Sequence, residues 1–506
     1  MKKYILILLV ATALFGSSCT DFLSVNEVNP NSASKVTPKL VLPTTLTGIV
    51  STMNNPRRFD FVYLWHGLWS ISAGYSQPAA LSSYKLINSD YQNAFNELYL
   101  VGNNLDAIEK SSTDAKDVYY LAMAKIMKAY IFQTLVDCWG NVPYSEAFKT
   151  GQDILKPKYD DQKVIYEDLV VKIDEAIALI QNAPSDVNAV PGSSDIMYAG
   201  NMTKWLKFAN TLKLRILVQQ SGMTGRTTYI KEKIATTASV GYMGEGDGAL
   251  VNPGYLVSAS KMNPFYNYFY SEIGSSKPDG VTYYTAGKDV VDFYNANSDL
   301  RRNKFFKLGE KNTTHAGNIF GSPAADLTPF ASTSQLGYVK DDATTMIGTA
   351  TKASPLFTDF EALFLQAEAV NKGLITSGSA QALYESGVKQ SFAYMGLTDV
   401  AAAAYVAQAN IKVNFGLATT EAERTQVIIT QKWASLNGIA PLTIWSDYRR
   451  TGYPAGLNFT PDVNKLSATP PVRLLYPQTE LSVNNDNVLA VGTIDAFTSK
   501  IFWQNR

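Results

Sequence analysis

Cysteine and histidine are nearly absent from this sequence, which carries two of each among 506 residues. Two cysteines allow one disulfide at most, so the fold must be held by packing. With only His66 and His315 available, a histidine-based metal site is not expected. Charge is sparse at 17%, below the usual quarter, and 44 basic residues balance 44 acidic ones. No basic run interleaves with aromatics, so nucleic acid is not expected as a partner. Motifs of nucleophilic, metal-dependent or phosphate chemistry (G-x-S-x-G, H-E-x-x-H, a P-loop) are missing, which predicts no catalytic residue and no cofactor.

A membrane-spanning run is also lacking. The apolar stretch Tyr4 to Phe15 has twelve residues, against roughly 20 for a spanning helix. Lys2 and Lys3 precede it and the small residues Gly16-Ser17-Ser18 follow, the layout of a cleaved secretion signal over residues 1–18. The next residue is Cys19, placed where bacterial lipoprotein processing acylates a cysteine. The usual leucine three residues before it is replaced by Gly16, with Leu14 nearby. Residues 19–35, rich in Asn, Ser and Pro, read as a solvated tether on a lipidated Cys19.

Aromatics reach 12%, with 29 Tyr against 23 Phe, a bias toward rings with one polar edge. Apolar spacings of 3, 4 and 7 predict helices over Tyr91–Ile108, Ala115–Trp139, Tyr159–Asn182 and Asn201–Gln220, four in about the first 220 residues. They resume over Phe357–Lys372, Ala380–Met395, Val400–Ala409 and Glu421–Leu436, the last behind a Thr419-Thr420 cap. Cys138 falls in a strongly apolar helix as a buried, inert thiol. Ala122/Ile126/Ala129 and Ala380/Tyr384/Gly387 have the small-large-small spacing of tetratricopeptide helices, without a fixed 34-residue period. From 222 to 355 Gly, Ser, Thr, Asn and Pro dominate, predicting a loop-rich insertion, and from 454 onward the chain reads as coil. The expected class is therefore mainly α: one domain over 36–506, with a degenerate helical-hairpin scaffold at 36–221 and 356–453 and the insertion as binding layer.

Several segments together resemble the SusD/RagB family of nutrient-binding outer-membrane lipoproteins. They are CTDFLSVNEVNPN after the signal, WGNVPYSEA (Trp139–Ala147), LFLQAEAVNKG (Leu363–Gly373), TQKWASLNGIAPLTIWSDYRRTGYP (Thr430–Pro454) and PPVRLLYPQTELSVNNDN (Pro470–Asn487). The resemblance implies tetratricopeptide-like hairpins, attachment to the outer membrane through Cys19, and a TonB-dependent transporter barrel of the SusC type as partner. It also implies an oligosaccharide ligand, or a peptide in some branches.

Sugar capture needs flat rings for pyranose faces and a few placed polar groups. Two segments hold both. Tyr63–Tyr84 contains Tyr63, Trp65, His66, Trp69, Tyr75, Gln77 and Tyr84, and the insertion contains Asn263, Phe265, Tyr266, Tyr268, Tyr270, Tyr283 and Tyr284. Trp65 and Trp69, four apart, fit one buried helical face as well as a ligand site, whereas Tyr75 and Gln77 lie between Gly74 and Pro78, outside any helix. Arg449 and Arg450 suit carboxylate recognition, but an ion pair with Asp447 that pins the last helix is the stronger reading. Three classes remain open: capture of a nutrient for the transporter, glycoside hydrolysis by a carboxylate pair, and a peptide-binding or protein-binding envelope scaffold.

Overall fold

The computed structural model describes residues 37–184, 190–277, 280–337 and 342–504. Cys19 and the expected signal and tether lie outside the described residues. Helices α1 (Pro38–Met53) and α2 (Pro56–Trp65) each open on a proline, tolerated at a first position because no N–H is needed there. Asn55 caps α2 by accepting the Arg57 N–H. Then come α3 (Gln92–Ser111), α4 (Val118–Trp139), α5 (Gln162–Gln181) and α6 (Met202–Gln219). The sequence reading of four helices therefore fell short by α1, α2 and a short turn at Ala79–Ser82. Pro43 inside α1 and the prolines at both starts mask their periodicity.

Successive helices pack as hairpins, α3 on α4, α4 on α5 and α5 on α6, with α1 closing against α3. The face of α5 holding Ile165, Leu169, Ile173, Ala176 and Ile180 is buried, and α4 is buried nearly all round, Cys138 included. Burial pushes that thiol well above its usual range, so it stays protonated and inert.

Residues 222–355 carry α7 (Thr227–Ala235), α8 (Lys288–Ala296) and short strands. Strand β1 (Trp69–Ile71) pairs antiparallel with β2 (Tyr284–Ala286), which with β3 (Phe306–Lys307) and β4 (Gln335–Leu336) forms a sheet of order β1-β2-β4-β3. Arg301 anchors this region to the helices. Its fully buried guanidinium pairs with Asp299 at 2.6 Å and donates to Ser391, Ser435 and Gln431.

The second helical block comprises α9 (Asp359–Asn371), α10 (Ala380–Tyr394), α11 (Asp399–Val406), α12 (Glu421–Ser435) and α13 (Pro441–Thr451). Thr420 and Glu423 form a full capping box on α12, which holds the Glu423 carboxyl down at about 2. Gly387 lets α10 approach α9, since an added Cβ would lie 2.9 Å from the Phe364 ring. Ala122, Ile126 and Ala129 are likewise buried in α4. The chain is thus mainly α, built on tetratricopeptide-like hairpins.

A buried ionic network fastens α13. Arg450 grips Glu368 of α9 at 2.5 and 2.8 Å and reaches Asp447 at 2.9 Å, while Lys432 of α12 meets Asp447 at 2.8 Å. Arg449 plays a separate part. It donates to the Asp137 and Val472 carbonyls and stacks 3.7 Å from the Trp445 ring. Arg450 thus makes the ion pair with Asp447 that the structural reading of this segment expects, whereas Arg449 is spent on backbone carbonyls and a ring instead.

Candidate ligand-binding site

Pairing of β1 with β2 joins the two aromatic segments singled out in the sequence. The register sets Trp69 opposite Ala286 and Ile71 opposite Tyr284, and the ladder runs on through the Ser72 N–H to the Tyr283 carbonyl at 2.8 Å. Just past this edge, the 72–78 loop turns back on itself. Gln77 Nε2 donates to the carbonyls of Ser72 and Tyr75, and the Tyr75 hydroxyl meets Thr282 Oγ1 at 2.6 Å. The Tyr75 and Tyr283 rings stand at 86° with centroids 5.2 Å apart, two half-buried rings forming a corner.

Beside this corner lies a cleft of about 480 Å³, walled by Arg57, Asp60, Leu64, Lys85, Tyr91 and Tyr283 among others. Its polar centre is Asp60. The carboxylate accepts from the Tyr284 hydroxyl at 2.9 Å and the Tyr91 hydroxyl at 3.2 Å, and Tyr268 reaches Tyr284 in turn. Desolvation pushes Asp60 up to about 6, with the tyrosine hydroxyls and Arg57 opposing the rise. Arg58 is committed to Glu97 in a two-point ion pair, whereas Arg57 is exposed and faces Asp60, Tyr268 and Tyr284. Two tyrosines with left-handed backbone, Tyr84 (φ 61°) and Tyr91 (φ 58°), bracket the 85–90 turn on the cleft wall. Such strain persists in bulky residues only where surrounding packing fixes it, and it gathers at ligand sites.

Six of the sequence candidates lie in the core. Trp65 ends α2 and donates to the Leu81 carbonyl; Trp69 opens a strand, stacks on Tyr63 at 4.1 Å and donates to Asn437. The shared helical face expected for these two therefore does not exist, because the helix stops at Trp65. Tyr84 is fully buried against Trp65. Asn263 caps the short helix Pro264–Phe269, and Phe265 and Tyr266 on that helix face inward. None of these offers an open ring to a ligand; their aromatic clustering reflects core packing. Tyr75, Gln77 and Tyr268 are half-buried and do not line the cleft itself: Tyr75 and Gln77 lie in the 72–78 loop beside Tyr283, and Tyr268 reaches the Tyr284 that bonds Asp60. Sequence reasoning missed Arg57, Asp60, Lys85 and Tyr91 as site residues, since no local motif marks them.

Among the described residues no group of three or more His, Cys, Asp or Glu is placed to hold a metal ion, and no helix is long and apolar enough to cross a membrane.

The family model described as SusD-like, starch-binding associating with outer membrane, matches residues 30–477. A search of the curated proteins returns no match. Solved structures share the fold throughout. A SusD homolog from Bacteroides uniformis is 24% identical with a TM-score of 0.74, covering 92% of this chain and 99% of its own. A SusD-like protein from Bacteroides thetaiotaomicron is 22% identical with a TM-score of 0.73, covering 93% and 99%. A chitin-binding SusD homolog from Flavobacterium johnsoniae is 22% identical with a TM-score of 0.73, covering 91% and 98%. The match across most of its length means that this chain belongs to the SusD-like family.

Proposed function

We propose that this protein is a non-catalytic lipoprotein of the outer-membrane surface, anchored through acylated Cys19 after removal of residues 1–18, that holds an oligosaccharide and passes it to a TonB-dependent transporter barrel of the SusC type. The observation that carries this reading is the corner of Tyr75 and Tyr283 beside the Arg57–Asp60 cleft. Half-buried rings cover the apolar face of a pyranose, and a guanidinium with a carboxylate meets its hydroxyls. The family description and the chitin-binding relative support a glycan as ligand. Tyr268 and Gln77 complete the contact set on this reading.

Asp60, held near 6 in a cleft that Asp90 also lines, is the place to look for hydrolysis instead. Calorimetric titration of the mature chain with chitin and starch oligosaccharides tests both ideas. Saturable binding without turnover is expected, weakened about tenfold to a hundredfold by Tyr283→Ala, the usual cost of a contact ring. Turnover abolished by Asp60→Asn would replace the capture reading.

A further inference from the structure

An apolar groove of about 410 Å³ adjoins the Arg57–Asp60 cleft across the 85–90 turn. Ser89 lines the cleft and Asn88 lines the groove, and consecutive residues stand about 3.8 Å apart. The turn is tied to the groove wall. Asn88 Nδ2 donates to the Tyr476 carbonyl at 2.8 Å, and the Asn88 carbonyl accepts the Gln478 N–H at 2.9 Å. Helix α3 joins cleft and groove a second time. Its first turn brings Gln92 and Asn93 to the cleft, and Asn96, one turn on, meets the Thr479 hydroxyl of the short helix Gln478–Val483, whose Leu481 walls the groove.

Aliphatic side chains make this groove. Leu475, Leu481, Val488, Leu489 and Ile494 line it together with Asn88, Tyr476, Gly492 and Thr493, and no charged residue does. Asn88 and Tyr476 have already given donors to the carbonyls of Tyr476 and Asn141. Leu489 is 63% exposed on the rim, and Ile87, between Leu86 of the cleft and Asn88 of the groove, is 53% exposed. Contiguous exposed aliphatic surface of this kind marks an interaction site.

The lining decides what fits. A second sugar there would leave most of its hydroxyls without partners, with Thr493 the one hydroxyl on the exposed rim to meet them. The groove is also walled by too few residues for the roughly 20–30 a side of a stable protein interface. A chain of methylenes needs neither polar partners nor a wide surface. We propose, resting on the glycan reading of the Tyr75–Tyr283 corner, that the groove takes the aliphatic tail of an amphiphilic glycoside whose sugar sits in that corner and whose chain crosses Leu86 and Ile87 to lie against Leu475, Leu481, Leu489 and Ile494.

The test is calorimetric titration of the mature chain with methyl maltoside and octyl maltoside, each below the concentration at which it forms micelles. Burial of a methylene strengthens binding by up to about fourfold, so the octyl compound should bind at least about tenfold more tightly. Leu489→Asp, which sets a charge on the exposed rim, should bring octyl maltoside to within about threefold of methyl maltoside and leave the methyl compound unchanged; Tyr283→Ala should weaken both by about tenfold or more. Should Leu489→Asp melt early, Ile87→Ser replaces it, and a full octyl gain there overturns the proposal equally. Methyl maltoside bound as tightly as octyl maltoside overturns the tail site and leaves the glycan reading standing. An octyl gain that survives Leu489→Asp, or octyl binding untouched by Tyr283→Ala, overturns it as well, because the tail then lies elsewhere or binds without the sugar. Failure of both maltosides overturns the tail site, and failure of the chitin and starch oligosaccharides besides strikes the glycan reading beneath it.

Discussion

Replacing Arg450 by Met leaves two buried carboxylates with one cation between them. Glu368 is fully buried and its hydrogen bonds, at 2.5 and 2.8 Å, both come from Arg450. Asp447 keeps Lys432 at 2.8 Å and is the lesser casualty. Removing one partner of a buried pair costs about 3–5 kcal/mol, because the other charge is stranded out of water. A chain of this length melts with an entropy near 1 kcal/mol/K, from about 2.1 cal/mol/K per residue, so the midpoint should fall by about 3–5 °C. Differential scanning calorimetry reads this directly. The double variant Arg450→Met, Glu368→Leu removes both charges and should recover most of the loss, since well-packed apolar replacement of an ion pair is often neutral. A single variant that melts within about 1 °C of the parent, or a double variant worse than the single, would refute the assignment of this network as the fastening of α13.

Gly387→Ala should destabilise by about 1–3 kcal/mol despite the better helix propensity of alanine, because its Cβ crowds Phe364; an unchanged or raised midpoint would show that α9 and α10 have slack. Asp137, pushed up to about 6 by burial beside Tyr166 and Trp503, ionises near 3.9 when unfolded. The folded state therefore holds the proton more tightly, and this contribution is full below pH 4 and lost as pH rises from 4 to 6. Asp137→Asn should gain on the parent by up to about 3 kcal/mol across that window, and a pH-independent difference between the two melting curves would refute it. Tyr266→Ala and Tyr283→Ala should behave oppositely: the first, 2% exposed, loses stability by about 3–5 kcal/mol, and the second loses glycan affinity while melting within about 2 °C of the parent.

Long amphipathic helices were legible because burial repeats at 3 and 4 residues, as along Ile165, Leu169 and Ile173. Caps were legible for the same local reason, as at Thr420. The site was legible only as two segments. That they meet depends on the long-range pairing of Trp69 with Ala286, which no local pattern encodes. Within each segment the aromatic count misled, because a buried ring and a half-exposed ring have the same letter; Trp69 lies on β1 and Tyr75 in the loop just beyond it. Arg57 and Asp60 were invisible for the converse reason, since their importance comes from Tyr268, Tyr284 and Tyr91 arriving from elsewhere in the chain.

On the proposed function an oligosaccharide sits in the corner formed by Tyr75 and Tyr283 beside Arg57 and Asp60. A crystal structure of the mature chain with the tightest-binding oligosaccharide of the panel tests it most directly. A pyranose face is expected within about 4 Å of the Tyr75 or Tyr283 ring, with a sugar hydroxyl within hydrogen-bond distance of Arg57 or Gln77. A sugar seated anywhere else on the protein, with that corner empty, would contradict it.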